Sequence, residues 1–548
     1  FVYFEAIIRY YLSPCLLLIA NSMSQAPIPQ KDASSSTPKK SGLWRSTLIV
    51  SAMTMLSRIA GLVRDMVLLN TFGADRMMDA FLVAFKIPNF LRRLFAEGAF
   101  ANAFVPVLSE YKTQRDDAAV RDLVSKVAGS LSLILMVITV IAVLAAPLIM
   151  WIFAPGFSND PEKFHLAADM LQITFPYLLL ISLTAFAGGI LNSYGAFALS
   201  SFTSVLLNLV MIACALFLAP LLQIPIMALA WGVLIAGVAQ LAIQIPALYN
   251  IGMLPRFKVD FADEGVKRIF TLMLPAMFGV SVSQINLLLD TILASFLISG
   301  SVSWLYTAER LTELPLGLIG IAVATVILPS LSAKHAQKSN DEFKAMIDWA
   351  LRVIVLVGVP ASLAMLILAQ PMIATLFHHG KFSQHDVQMS AAALQALSGG
   401  ILAFMLIKVF APCYYARQDT KTPVKIGIIA MVSNMAFNLM LVWHFKHVGL
   451  AFASTLSAFL NAGLLYRGLH KQGVFRLQKH WVALGVRYAV ANSAMVAVLC
   501  WMTPQANYWL NMATSHKLAY LAAICVAGAT TYLVVLTLVG FKWRELKH

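Results

Sequence analysis

The chain has 548 residues, of which 60% are hydrophobic and only 12% charged, and it carries a formal net charge of +15. Soluble domains average about 25% charged residues, so this composition excludes an ordinary soluble protein and describes a polytopic membrane protein. The net charge does not point to nucleic acid, which would need basic residues gathered on one soluble face. Here they occupy alternate loops between apolar stretches.

The first 22 residues, FVYFEAIIRYYLSPCLLLIANS, lack an initiating Met, and their apolar core is short for a signal peptide. Residues 1–22 therefore read as an upstream, non-native extension, with the start at Met23. Residues 23–43, rich in Ser, Pro and Lys, read as a disordered cytoplasmic tail. Apolar stretches follow at 46–71, 78–107, 123–153, 166–192, 198–220, 225–250, 269–299, 302–331, 346–377, 387–416, 423–444, 447–466, 482–502 and 516–540, about fourteen transmembrane helices. Seven loops and tails on one side hold 25 Lys or Arg, whereas the opposite loops hold only Arg76, Lys163, Lys381, Lys446 and Lys517. The positive-inside rule then puts both termini in the cytoplasm.

The first two stretches carry charges that do not belong in lipid. Arg58, Arg64 and Asp65 lie in the first; Asp79, Lys86, Arg92, Arg93 and Glu97 lie in the second; Glu309, Arg310 and Glu313 lie in the eighth. Each charge facing lipid at mid-depth would cost roughly 2.5–3.5 kcal/mol, so these residues should line a wet internal cavity. At 1.5 Å per residue, Arg64 lies about 27 Å along its span, Arg92 and Arg93 about 21 Å and Arg310 about 12 Å, all within the membrane. Asp79, Lys86 and Arg93 recur every seven residues, with Glu97 four beyond, so they share one helical stripe and predict a polar wall. Structural pairing of Lys86 with Asp79, Arg93 with Glu97 and Arg310 with Glu313 would neutralise part of this charge. The cations outnumber the carboxylates, and Arg64 is expected to point away from Arg58 and Asp65, leaving at least one arginine unpaired. Arginine binds phosphate oxygens bidentately and stays charged in a partly dry cavity, so an anionic, phosphate-bearing substrate is implied. No GxxxxGK[ST] phosphate loop is present, which leaves a gradient, the membrane potential or substrate turnover as the energy source.

FANAFVPVLSEYK at 100–112 aligns with VATVILPSLSAKH at 323–335, Pro106 over Pro329, and FAGGILNSYGAF at 186–197 with FAPCYYARQDTK at 410–421, at nearly the same offset. A duplication of six spans follows: an N-lobe at 44–251, a cytoplasmic linker at 252–268 and a C-lobe at 269–471. The lobes should be related by a pseudo-twofold along the membrane normal, with the substrate site between them. Spans within 482–540 lie outside the repeat, and 541–548 is a cytoplasmic tail. Prolines inside the spans predict bending as the lobes rock. Cys214, Cys413, Cys500 and Cys525 fall in spans and read as buried apolar thiols, with Cys15 in the extension and no CxxC pair. His378, His379 and His385 cluster in one external loop without the Cys or carboxylates that would complete a metal set.

SRIAGLVRD (57–65), DAFLVAFKIPNFLRRLFAEGAFANAFVPVLSEY (79–111), ITFPYLLLIS (173–182), the run from 279 to 332 and YYARQDTKTPVKI (414–426) closely resemble the MurJ (MviN) family of lipid II flippases, over nearly all of 43–545. The resemblance implies the multidrug/oligosaccharidyl-lipid/polysaccharide exporter fold and a substrate, undecaprenyl pyrophosphate bearing the peptidoglycan disaccharide-pentapeptide. It implies an inner-membrane transporter rather than an enzyme, working as a monomer beside cell-wall synthesis machinery, with no cofactor and an unidentified coupling ion or potential. By motif, Arg58, Arg64, Asp65, Arg92, Arg93 and Arg310 correspond to its cavity residues and Asp79, Glu97 and Glu309 to its acidic residues beside them; Lys86 and Glu313 join these as supporting charges by their spacing. Asp290 departs from the family pattern, and the C-terminal span pair resembles the family's lipid-tail groove. The alternatives are a flippase for another undecaprenyl-pyrophosphate-linked oligosaccharide of O-antigen type, or a drug antiporter of the same superfold, which would need an acidic or aromatic cavity. A glycosyltransferase would need longer loops than this chain has.

Overall fold

The computed structural model describes residues 40–94, 100–317, 321–337 and 339–542. The extension at 1–22, nearly all of the 23–43 tail, Glu97 and most of the 541–548 tail lie outside the described residues. By contacts the chain divides into Phe1–Ile49 and Val50–His548. Of the first unit only the opening turns of one helix, from Lys40, are described.

Among the described residues there is no strand, as a lipid-spanning chain requires when every backbone amide must be satisfied within its own segment. In chain order the helices are α1 (Lys40–Phe72), α2 (Arg76–Arg92), α3 (Ala101–Gln114), α4 (Asp117–Leu144), α5 (Ala146–Phe153), α6 (Pro161–Thr174), α7 (Tyr177–Ser193), α8 (Phe197–Ala213), α9 (Met227–Ala242) and α10 (Ile245–Asn250). They continue as α11 (Glu264–Ser295), α12 (Ser301–Pro315), α13 (Ile321–Ala336), α14 (Asn340–Phe377), α15 (Gln384–Ser398), α16 (Ile401–Tyr415), α17 (Lys421–Lys471), α18 (His480–Met502), α19 (Ala506–Asn511) and α20 (Thr514–Leu538). The described residues of each expected apolar stretch fall mainly on one of these helices or on an adjacent pair, the stretch at 198–220 continuing from α8 through a π turn at Cys214–Leu218. Among the described residues, nine helical segments, some of them merging neighbours, are long and apolar enough by themselves to cross a membrane.

Local sequence sets the boundaries. Asp75, Asp116, Asp160 and Asp263 cap α2, α4, α6 and α11 by accepting from first-turn amides, and Ser383 with Asp386 forms a reciprocal capping box on α15. Pro176 separates α6 from α7, and Lys446, at φ 51°, divides α17 into two helical runs where the sequence predicts a loop between spans. A π-helical turn at Arg93–Leu94 recurs at Leu316–Gly317, one repeat offset later, so the duplicated units share a break as well as a proline. The C-terminal pair α18 and α20 packs on itself and on α14, fixed by Tyr532 Oη donating to the Leu356 carbonyl (2.8 Å) and Trp481 Nε1 to Asp348 (2.6 Å). Cys214 and Cys413 are buried, but Cys500 and Cys525 are exposed on this pair, which corrects the expectation for two of the thiols. A helix at the rim of the bundle turns half its surface to lipid, where a thiol is as compatible as in a core.

Candidate functional site

A cavity of about 1160 Å³ opens between α1, α2, α7, α8, α11, α12 and α16. Arg58, Arg64, Lys86, Arg92, Arg93, Arg310 and Lys408 line it, against Asp290, Glu309 and Glu313. The basic side chains therefore outnumber the acidic ones even with Asp65, buried just behind the lining, included.

Asp65, 1% exposed, is the hub of this charge. Arg64 Nε and Nη2 donate to its Oδ1 at 2.9 and 2.6 Å, the Tyr306 hydroxyl donates to the same oxygen at 2.9 Å, and Arg310 Nε donates to Oδ2 at 2.6 Å. Arg64 Nη1 also reaches Asn208 Oδ1 (3.0 Å), whose amide is anchored on the carbonyls of Ser57 and Ser204. Arg310 Nη1 bonds Glu313 at 2.9 Å, as expected from their spacing. One buried carboxylate thus gathers guanidinium groups from both repeats. This corrects the expectation that Arg64 points away from Asp65: its side chain folds back onto its neighbour in sequence, a geometry that helical-face counting does not foresee. Arg310 crosses α1 at Gly61, where a Cβ would sit 2.6 Å from its Nη2 and shift the guanidinium.

Of the other expected site residues, Arg58 packs against Gly317, Arg92 Nε bonds Asn89 Oδ1 (2.8 Å), and Lys86, Arg93 and Glu309 face the same cavity. Asp290 accepts from the side-chain amides of Asn434 (3.2 Å) and Asn438 (2.6 Å). Tyr306, Asn208 and Lys408 were missed by sequence reasoning. Only Lys408, a lone cation inside an apolar stretch, gave a signal comparable to that of the arginines.

Asp79 belongs elsewhere. It neither lines the cavity nor pairs with Lys86, which corrects both expectations; seven residues put Lys86 about 10 Å further along the helix, beyond a carboxylate's reach. Instead Asp79, 1% exposed, accepts from Lys163 Nζ (3.2 Å), Gly300 N (2.7 Å), Ser303 N (2.9 Å) and Ser303 Oγ (2.7 Å). It is the N-terminal cap of α12, supplied by the other repeat. Gly300 reaches it at φ 97°, a backbone conformation that side chains resist. At the same end, which the loop charges assign to the outside, Gly156 N donates to Ser295 Oγ (3.1 Å) and Lys381 N to the Asn70 carbonyl (2.9 Å).

At the opposite end Arg268 bonds Glu110 (2.9 Å), and Lys126 bonds Asp263 (2.9 Å). The hydrogen bond from Arg268 holds the Glu110 carboxyl below its ordinary value. A carboxylate whose value falls on folding contributes most above its unfolded value, and that contribution is lost as pH falls through the lowered one. Acidification through this range is therefore expected to loosen the contact between α3 and α11. Spin labels on these two ends should report a broader distance distribution at acidic pH, and Glu110→Gln should show that breadth already at neutral pH with no further change on acidification.

The sequence profile described as "Lipid II flippase MurJ" matches residues 68–520. A Vibrio cholerae protein named "Probable lipid II flippase MurJ" is 48% identical over 512 residues, covering 92% of this chain and 98% of that protein. The "Lipid II flippase MurJ" of Burkholderia cenocepacia is 41% identical, covering 92% and 99%. A solved structure titled "Lipid II flippase MurJ, inward closed conformation" superposes with a TM-score of 0.76 at 25% identity, over 91% of this chain and 100% of that one. An inward-facing multidrug resistance MATE transporter of the MOP superfamily superposes with a TM-score of 0.62 at 15% identity, a likeness of fold.

Proposed function

The chain belongs to the MurJ family of lipid II flippases, and we propose that it carries lipid II across the bacterial inner membrane with Arg64 and Arg310 as the ligands of the diphosphate. The observation that carries this assignment is the sharing of Asp65 by two guanidinium groups from opposite repeats inside a cavity with an excess of cations. Asp65 divides its charge between them, and even with Glu313 on Arg310 the cavity as a whole holds more cations than carboxylates. A diphosphate entering the cavity offers the oxygens they lack, with the bidentate geometry arginine favours. Arg58, Lys86, Arg92, Arg93 and Lys408 on the same walls extend the positive surface toward the rest of the head group.

The transporter functions as a monomer, since the whole cavity is built within one chain, and both termini are cytoplasmic, in keeping with the 25-to-5 split of loop cations. The repeats rock between the seam at Asp79 and the contact at Glu110, alternately exposing the cavity. No cofactor takes part: the membrane potential acts on the cavity cations, at roughly 2.3 kcal/mol per full charge per 100 mV. The polyprenyl tail stays beside the bilayer on α18 and α20. Their exposed side chains include Val486, Val490, Val526, Leu533 and Val534, an apolar surface suited to it.

Binding of purified protein to lipid II, with an O-antigen carrier lipid as control, tests the substrate. Tighter binding of lipid II is expected. Equal or tighter binding of the control would replace lipid II by another undecaprenyl-pyrophosphate-linked oligosaccharide.

A further inference from the structure

Three basic side chains lie together far from the cavity. Lys517, on the first turn of α20, is 3% exposed, and no carboxylate among the described residues bonds it. His378 and His379 follow α14 within electrostatic reach of it: burial pushes both imidazoles below their ordinary value, and the Lys517 ammonium adds to the effect on each. The neighbourhood is fixed by Thr375, which accepts from Trp509 Nε1 at 3.0 Å and whose carbonyl lies 3.3 Å from His379 Nε2. Trp509 in turn packs on Tyr520, one turn beyond Lys517, with ring centroids 5.5 Å apart.

A buried ammonium beside two imidazoles is costly unless an anion joins them. Its position increases the cost, because a cation at a helix N-terminus opposes the helix dipole. The same N-terminus favours an anion, and its cap residue, Ala513, has no side chain to accept from the first-turn amides. Lysine, two histidines and open helix amides converge on one kind of ligand.

We propose that Lys517, His378, His379 and the first turn of α20 form a second phosphate site, for a phosphate group of the undecaprenyl-linked diphosphate once it has reached the outer face. The inference rests on the flippase reading: a tail lying along α18 and α20 brings its phosphate to this end of α20. The site gives the head group a place to settle on leaving the cavity, so that Arg64 and Arg310 are freed for the next cycle.

The test follows the imidazole NMR signals of His378 and His379 in the full chain, in zwitterionic nanodiscs, on addition of undecaprenyl phosphate, dioleoylphosphatidylglycerol or inorganic phosphate. Undecaprenyl phosphate is expected to shift both signals. Lys517→Gln should weaken that response by about tenfold or more, Lys517→Arg should retain it, and the Arg64→Ala, Arg310→Ala double variant should leave it unchanged. Lys517→Met, which keeps the buried stem, replaces the glutamine variant if that one fails to fold. No shift with undecaprenyl phosphate overturns the proposal, as does an equal response to phosphatidylglycerol, which would make this a general phospholipid contact, or to inorganic phosphate. A failed lipid II binding assay with intact signals here would count against the cavity assignment instead.

Discussion

Asp65→Ala is expected to be the most destabilising single change in the cavity. It leaves Arg64 and Arg310 without their shared carboxylate and Tyr306 without its acceptor, at a site where Arg64 is 6% exposed. Breaking a buried ion pair by removing one partner costs on the order of 3–5 kcal/mol, because the surviving charge stays desolvated. Thermal stability in detergent should fall accordingly. Added lipid II should restore more stability to the variant than to the native protein, since its diphosphate replaces the missing anion and a ligand stabilises whichever state binds it. A variant as stable as the native protein would show that the arginines reach solvent. Equal stabilisation by lipid II in both proteins would separate the diphosphate from this cluster.

The second large effect is expected at Asp79. Alanine there removes three hydrogen bonds to α12 and strands Lys163, 5% exposed, at the outer seam. A loss of about 3–5 kcal/mol corresponds to a hundredfold or greater fall in the population that keeps the seam closed, at about 1.4 kcal/mol per factor of ten. Distance measurements between spin labels at the outer ends of α2 and α12 should show the separated state, and transport should slow because the closed state is no longer recovered. Replacing both charges, as Asp79→Leu with Lys163→Met, should do less harm than Asp79→Leu alone, since no buried cation remains. Unchanged distances in Asp79→Ala would remove the seam from the transport cycle.

The spans were legible in the sequence because a lipid core demands long apolar runs, and the cavity charges because nothing else explains arginine inside such runs. Arg64, Arg92, Arg93 and Arg310 accordingly face one cavity. The partners were not legible. Asp79 meets amides more than two hundred residues away, so its cap on α12 depends on how the repeats pack and leaves no trace in the spacing around Asp79. Lys163 read as a stray external cation, although it is buried against Asp79 and lies over the Phe157 ring. Tyr306 and Asn208 look like ordinary polar residues of a span until Arg64 is seen between them. Helical periodicity gives the face a residue occupies; it does not give the helix that comes to meet it, nor a side chain that curls onto its own neighbour as Arg64 does.

The central claim is that Arg64 and Arg310 hold the diphosphate during transport. Losing a charged hydrogen-bond partner in a buried site costs on the order of 2–5 kcal/mol, enough to abolish productive binding. The direct measurement is lipid II translocation in proteoliposomes by Arg64→Ala, Arg310→Ala and the double variant, each first shown to be folded, with lysine at the same positions for comparison. Translocation should be lost in every alanine variant and poorly restored by lysine, whose point charge cannot reproduce a bidentate contact. Native-rate translocation by the folded double variant would contradict the account.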